Sequence, residues 1–127
     1  MADCEIRATV RRTCPRIPFC GMTHRILGKN YDISVALVGD SLSRRINRER
    51  RSIDKPTNVL AFPISKNEGE IIINLPKAMR EAKAYSTTVK RHIGYLFIHG
   101  ALHLKGMRHG ATMEKRESEL LHAFFGR

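Results

Sequence analysis

Apolar residues come in short runs separated by polar, proline- or glycine-marked breaks, and the spacing inside each run assigns it to a strand or a helix. Asp32–Val38 (DISVALV) is dense in β-branched residues and predicts a buried strand. Residues 5–10 predict a shorter strand, followed by an irregular stretch broken by Pro15 and Pro18 and a short helix ending near Leu27, with Gly28 as its stop. Residues 57–62 (TNVLAF), bracketed by Pro56 and Pro63, predict a strand near a sheet edge; residues 70–73 predict another, entered through a turn at 67–69.

The remaining periodicity is helical. Leu42 and Ile46 share one face of a helix that Asp40 is placed to cap, with Arg44, Arg45, Arg48, Arg50 and Arg51 mostly on the outside. Asn74 is placed to cap a helix running to about Tyr85, and Thr87 or Thr88 a second one reaching Leu104, after which Gly106 suits a chain reversal. A last helix from about Thr112 carries Leu120, Leu121 and Phe124 on one face. Four strands interspersed with about five helices make an α+β or mixed α/β fold. The sequence carries no internal repeat, low-complexity tract or Gly/Ser linker, so residues 1–127 are expected to form one domain.

Charge changes this picture more than composition does. With 42% hydrophobic and 28% charged residues the chain is of ordinary globular type, but 23 Lys+Arg against 12 Asp+Glu leave a net charge of +11. So basic a small domain must present strongly positive surface, for which nucleic acid is the first expected partner and anionic membrane or acidic assembly components are others. No run of about 18 apolar residues exists to span a membrane, and the N-terminal MADCEIRATVRR lacks an apolar signal-type core. Cys4, Cys14 and Cys20 cannot all pair within the chain and lack close C-x-x-C spacing; the expectation is reduced, half-buried thiols in a cytoplasmic protein.

The segment His99-Gly-Ala-Leu-His103-Leu-Lys-Gly106-Met-Arg-His109 carries the chemistry. Residues four apart on a helix lie on one face, so His99 and His103 can offer nitrogens to one ion at ~2.0–2.1 Å. A third ligand on the next turn of a straight helix lies too far along the axis, and Gly106 permits the left-handed conformation that ends the helix and swings His109 back. Three histidines leave a fourth tetrahedral position open to water, the mark of a catalytic zinc site, and one Zn²⁺ per chain is expected. His92 lies two turns before His99, ~10.5 Å along the axis, and is not expected to be a ligand. Solvent-exposed roles are expected for His24 and His122. The ligand spacing is that of the metzincin proteases, H-E-x-x-H-x-x-G-x-x-H, but their general-base Glu is replaced by Gly100.

With Gly in that place, H-G-x-L-H-L-x-G-x-x-H closely resembles the zinc motif of the YbeY family of bacterial endoribonucleases. A second stretch, Asn47-Arg-Glu-Arg-Arg51-Ser-Ile-Asp-Lys-Pro56-Thr57-Asn58-Val59-Leu60-Ala61-Phe62-Pro63, is similar to that family's Asn, an Arg four residues on, then Pro-Thr-Asp/Asn-Val-Leu-Ser-Phe. The likeness runs from about Ile33 to Phe125. It implies a small mixed sheet with helices, His99, His103 and His109 as zinc ligands, and Arg51 as the functionally important arginine. The implied activity is zinc-dependent cleavage of single-stranded RNA, serving maturation of the 3′ end of small-subunit ribosomal RNA and ribosome quality control, with ribosomal RNA and the ribosome as partners.

In that setting Arg51 can clamp phosphate through two parallel hydrogen bonds and, with His99, belongs to the expected catalytic group. Arg48, Arg50 and Arg108 are expected substrate contacts. The chain departs from the family pattern at Arg108, where an Asp normally precedes the third ligand and can orient an imidazole, at Arg50, where an aromatic is common, and at Ala61, where Ser is common. Two other readings stand beside this one: a metallopeptidase with an unusual base, and a non-catalytic ribosome- or RNA-binding protein.

Overall fold

The computed structural model describes residues 2–11 and 13–126. Their elements run β1 (Cys4–Ala8), α1 (Phe19–Leu27), β2 (Asp32–Val38), α2 (Asp40–Arg51), β3 (Val59–Ser65), β4 (Glu68–Asn74), α3 (Leu75–Ala84), α4 (Val89–Leu104) and α5 (Ala111–Phe125). The sheet order is β1-β2-β4-β3. β1 and β2 are parallel, as are β2 and β4, while β3 and β4 form an antiparallel pair joined by a tight connection. Parallel neighbours need a crossover, and α1 supplies the one between β1 and β2. The result is the α+β architecture with a mixed four-stranded sheet and five helices that the hydrophobic pattern predicts.

Alternation along the central strands divides the apolar residues between two faces. Ile71 and Ile73 of β4, with Ile33, Val35 and Leu37 of β2, point into the main core beneath α1, α3, α4 and α5. Ile72 and Val38 point the other way, where Leu60, Leu42, Ile46 and Phe62 join them under α2. A strand covered on both faces carries apolar residues at successive positions, which accounts for the Ile71–Ile72–Ile73 run. α4 is the helix at the heart of the larger core: Ile93, Leu96, Phe97, Ile98, Ala101 and Leu102 are all at most 1% exposed.

Capping follows the sequence at α3 and α4, where the side chains of Asn74 and Thr88 accept from the backbone N–H groups of Lys77 and Arg91. At α2 it does not. Gly39 is the N-cap, and Asp40 is the first helical residue. Its carboxylate accepts from Asn74 Nδ2 at 2.9 Å and from Arg80, so it ties α2 to α3 instead of closing its own helix. β3 continues through Pro63 to Ser65, past the expected stop; as an edge strand it tolerates a residue without an N–H, and the pairing register shifts just there.

The thiol expectation is corrected as well. Cys4 and Cys20 form a disulfide, with Cα atoms 5.8 Å apart, and Cys14 is the free cysteine, its thiol pKa pushed up by burial. The chain path produces this pairing: the start of α1 returns to the start of β1 and brings residues 16 apart into contact, which spacing in the sequence does not reveal. Free thiols therefore no longer argue for a reducing compartment. Among the described residues no helix is long and apolar enough to cross a membrane.

Candidate metal centre

The site is built where α4 passes over β3 and β4. Gly100 faces the sheet, where a Cβ would meet Ile71 and Val59 at 3.4–3.5 Å, an ordinary packing distance. The buried face of α4, from Ile93 to Leu102, leaves His99 and His103 at its edge, partly exposed. After Leu104 the chain reverses. Gly106 has φ +102°, in the left-handed region anticipated for it, and its N–H donates to His103 O at 2.9 Å, while Met107 N–H donates to Leu102 O at 3.0 Å. This cap delivers His109 back beside the helix.

The three imidazoles converge. Ligand nitrogens of His99, His103 and His109 all lie within 4.8 Å of one another, the one such group among the described residues. Their ring centroids are 4.6, 4.9 and 4.6 Å apart. His99 Nε2 and His103 Nε2 are 3.2 Å apart. Two nitrogens bound tetrahedrally to one ion at ~2.05 Å stand ~3.3 Å apart, so the donor set fits zinc. Burial, with His99 and His109 alongside, holds the His103 pKa below its ordinary value, which favours the neutral form a metal needs.

Arg108 stands where the resemblance led to an acidic residue being expected, and a carboxylate reaches the cluster from another helix. Glu117 of α5, only 6% exposed, places Oε2 2.5 Å from His99 Nδ1. The carboxylate accepts the Nδ1 proton, fixes the tautomer and leaves Nε2 turned toward its two neighbours. Sequence reasoning missed Glu117, although a signal was there: it sits on the stripe of α5 that carries buried Met113 and Leu120, where an acid is out of place unless paired.

Arg51 lines the same cleft, of about 340 Å³, as the three histidines, with Asn58, Ala61 and Gly100 among the other walls. No carboxylate is among the residues lining it. Arg51 ends α2, after which Ser52 turns the chain in the left-handed conformation (φ +58°). The connection that follows is pinned to α2 from beneath: Asn47 Nδ2 donates to Lys55 O at 2.9 Å, and Ser43 Oγ both donates to Thr57 O and accepts from Thr57 N–H. The buried Ser43 and Asn47 thereby hold one wall of the cleft against the other.

The other predicted contacts lie elsewhere. Arg48 is 3.6 Å from Asp54 and lines a separate surface cavity with Arg44 and Arg45. Arg50 is 3.6 Å from Glu70 and stacks over the Phe62 ring at 4.7 Å, occupying a position where an aromatic would find the same ring. Arg108 is exposed and does not line the cleft. His92 is buried and bonded through Nε2 to Glu81 at 2.9 Å, away from the other three, while His24 and His122 are exposed.

The profile of the YbeY family, described as Endoribonuclease YbeY, matches residues 5–124. The chain belongs to the YbeY family. Its similarity to curated members is steady: 37% identity to the Endoribonuclease YbeY of Caldicellulosiruptor saccharolyticus over 64% of this chain and 62% of that one. It is 37% identical to that of Carboxydothermus hydrogenoformans over 70% and 66%, and 36% identical to that of Lacticaseibacillus casei over 73% and 69%. The matched region thus covers a little under two thirds of the first two relatives. A solution structure of a Thermotoga maritima protein shares the fold, with a TM-score of 0.69 at 21% identity over 97% of this chain and 89% of that one. All three histidines, Arg51 and Glu117 fall within the YbeY-matched segment.

Proposed function

We propose that this YbeY-family chain is a zinc-dependent endoribonuclease that cleaves single-stranded RNA, in the cell the small-subunit ribosomal RNA near its 3′ end, as part of ribosome maturation and quality control. One observation carries the reading: three convergent imidazoles and a guanidinium share one cleft on a chain of net charge +11. The name borne by its relatives, Endoribonuclease YbeY, points the same way.

His99, His103 and His109 hold the ion, and Glu117 keeps the His99 ring in register. The zinc, when bound, supplies a Lewis acid for phosphoryl oxygens and lowers the pKa of water. Arg51 takes the phosphodiester by bidentate hydrogen bonds and offsets charge that builds on it, in a cleft whose walls carry no competing carboxylate. Glu117 is committed to His99 and too buried to serve as a base. Arg48, Arg50 and Arg108, being outside the cleft, contribute at most to the approach of the strand.

A peptidase reading rests on the ligand spacing alone. The residue that should bring its base is Gly100, facing Ile71 and Val59, and the cleft offers no substitute carboxylate. The deciding experiment is cleavage of a single-stranded ribosomal RNA fragment by zinc-loaded protein, with chelated protein and Arg51→Ala as controls. Cleavage lost in both controls is expected. RNA that binds tightly but stays intact at every metal loading would leave a binding protein in place of an enzyme, and a 2′,3′-cyclic phosphate product would identify the ribose hydroxyl as nucleophile.

A further inference from the structure

A second cavity, of about 420 Å³, opens next to the metal cleft and shares Asn58 with it; Glu81, Tyr85, Arg91, His92 and Tyr95 complete its principal walls. We propose that this cavity is a nucleobase subsite, receiving by stacking a base of the RNA strand that adjoins the phosphodiester at the metal cleft. The proposal rests on the ribonuclease reading above and extends it to how the strand is held.

Aromatic rings run from the metal ligands into this cavity. His99 and Tyr95 have centroids 6.1 Å apart, Tyr95 and His92 are stacked at 5.9 Å, and His92 and Tyr85 are 5.7 Å apart. His92 is buried beneath the other two, so the faces left for a ligand are those of Tyr95, partly exposed, and Tyr85, 68% exposed. Three large apolar side chains stand out into solvent among the described residues, Ile6, Ile64 and Tyr85. The first two lie on the edge strands β1 and β3, and Tyr85 is the one at the mouth of a cavity.

The backbone sets where it stands, and one side of its ring faces that of His92. Tyr85 N–H donates to Glu81 O at 2.9 Å, and Ser86 follows in the left-handed conformation, with φ +54°. A non-glycine residue in that conformation is uncommon, and here it makes the turn that leaves Tyr85 at the end of α3.

The floor of the cavity is polar and rigid. The Glu81 carboxylate accepts from Asn58 Nδ2 at 3.2 and 3.3 Å and from His92 Nε2 at 2.9 Å. Lys77 Nζ stands 4.0 Å from Oε2, and the lone pairs left over can accept the ring or exocyclic N–H that every nucleobase offers. Arg91 lines the wall as well, its guanidinium donating to Gly126 O, and adds a positive charge at the cavity. Ring walls with a hydrogen-bonding floor and a cation at the rim suit a flat heterocycle on a polyanionic chain. Because the rings read only a π-face, the subsite discriminates weakly among bases.

The test uses the zinc-loaded full chain and single-stranded oligoribonucleotides with one 2-aminopurine stepped through successive positions, read both by fluorescence and by cleavage. One labelled position, adjoining the cleaved bond, should be quenched on binding. Tyr85→Ala should weaken binding about tenfold and abolish that quench, as expected for loss of one aromatic stacking partner. Tyr85→Phe and Tyr85→Trp should keep both. Wild-type protein that cleaves RNA while Tyr85→Ala binds and cleaves equally well would overturn the subsite and leave the ribonuclease reading intact. Binding through Tyr85 with no cleavage by any form would sustain the subsite and overturn the ribonuclease reading. Equal binding by wild type and Tyr85→Ala without cleavage would overturn both.

Discussion

Replacing Glu117 by Gln isolates the charge behind His99. The exchange keeps the shape and an oxygen acceptor for Nδ1 while removing the negative charge. A hydrogen-bond partner on the outer nitrogen of a metal-ligating histidine is worth ~10–100-fold in metal affinity. Glu117 should stand at the upper end of that range, because at 6% exposed its charge is little screened by water and its Oε2 lies directly on Nδ1. Full loss in Glu117→Ala is then ~100-fold, or ~2.7 kcal/mol at 1.36 kcal/mol per decade. A charge-assisted bond is roughly twice as strong as a neutral one, so Glu117→Gln should lose about half that free energy, ~10-fold in affinity. The metal-free protein should respond differently. Without an ion a buried carboxylate is a cost that its single imidazole partner offsets incompletely, so Glu117→Gln should leave the metal-free melting temperature unchanged or raise it. Competition titration against a chromophoric zinc chelator reads the affinity, and calorimetry of the metal-free protein reads the stability. An affinity within twofold of wild type would refute the reasoning and reduce Glu117 to a filler of the α4–α5 interface.

Three further outcomes follow from the geometry. A methyl at Gly69 would overlap the Tyr31 hydroxyl and the Leu104 side chain, so Gly69→Ala should destabilise the fold by ~1–3 kcal/mol, seen as a melting temperature lower by several degrees. Cys4→Ser removes the closure of a 16-residue span and should cost ~3 kcal/mol, reproduced in wild type by a thiol reductant; a wild-type melting temperature indifferent to reductant would contradict this. His103, with its folded pKa held below 6.5 by burial and the two neighbouring histidines, takes up its proton at lower pH in the folded metal-free chain than in the unfolded one. Its contribution is therefore intact above about pH 6.5 and declines as pH falls from there through the folded value; denaturant midpoints across a pH series should show that decline, flattened in His103→Gln.

Much of the fold was legible because its signals are local. The β2 boundaries follow from one β-branched run, and the α3 and α4 starts from Asn74 and Thr88, whose side chains bond to N–H groups three residues on. The misreadings share the opposite property. Asp40 carries the composition of a cap, but Arg80 and Asn74, 40 and 34 residues away, offer its carboxylate more than its own helix does. Cys4 and Cys20 meet only because the chain between them returns the start of α1 to the start of β1. Pro63 reads as a strand stop, and only its place on the sheet edge makes it tolerable.

The metal centre divides along the same line. His99 and His103 are brought together by helix geometry, and His109, six residues after His103, by the turn at Gly106, so an eleven-residue window contains every proposed ligand. What surrounds those ligands comes from two other helices and the connection after one of them. Glu117 reaches His99 from α5, Arg51 arrives at the cleft from the end of α2, and the wall between them depends on Ser43 and Asn47 holding the connection after α2 in place. The arginines nearest Arg51 in sequence show what proximity along the chain is worth: Arg48 turns to Asp54 and Arg50 to Phe62 and Glu70, because successive helix positions point in different directions. With Arg108 before His109, the ligands still have an anionic partner. A carboxylate on an adjacent helix reaches a different ligand of the same cluster, and the centre keeps an anionic partner while its rim, at Arg108, becomes cationic.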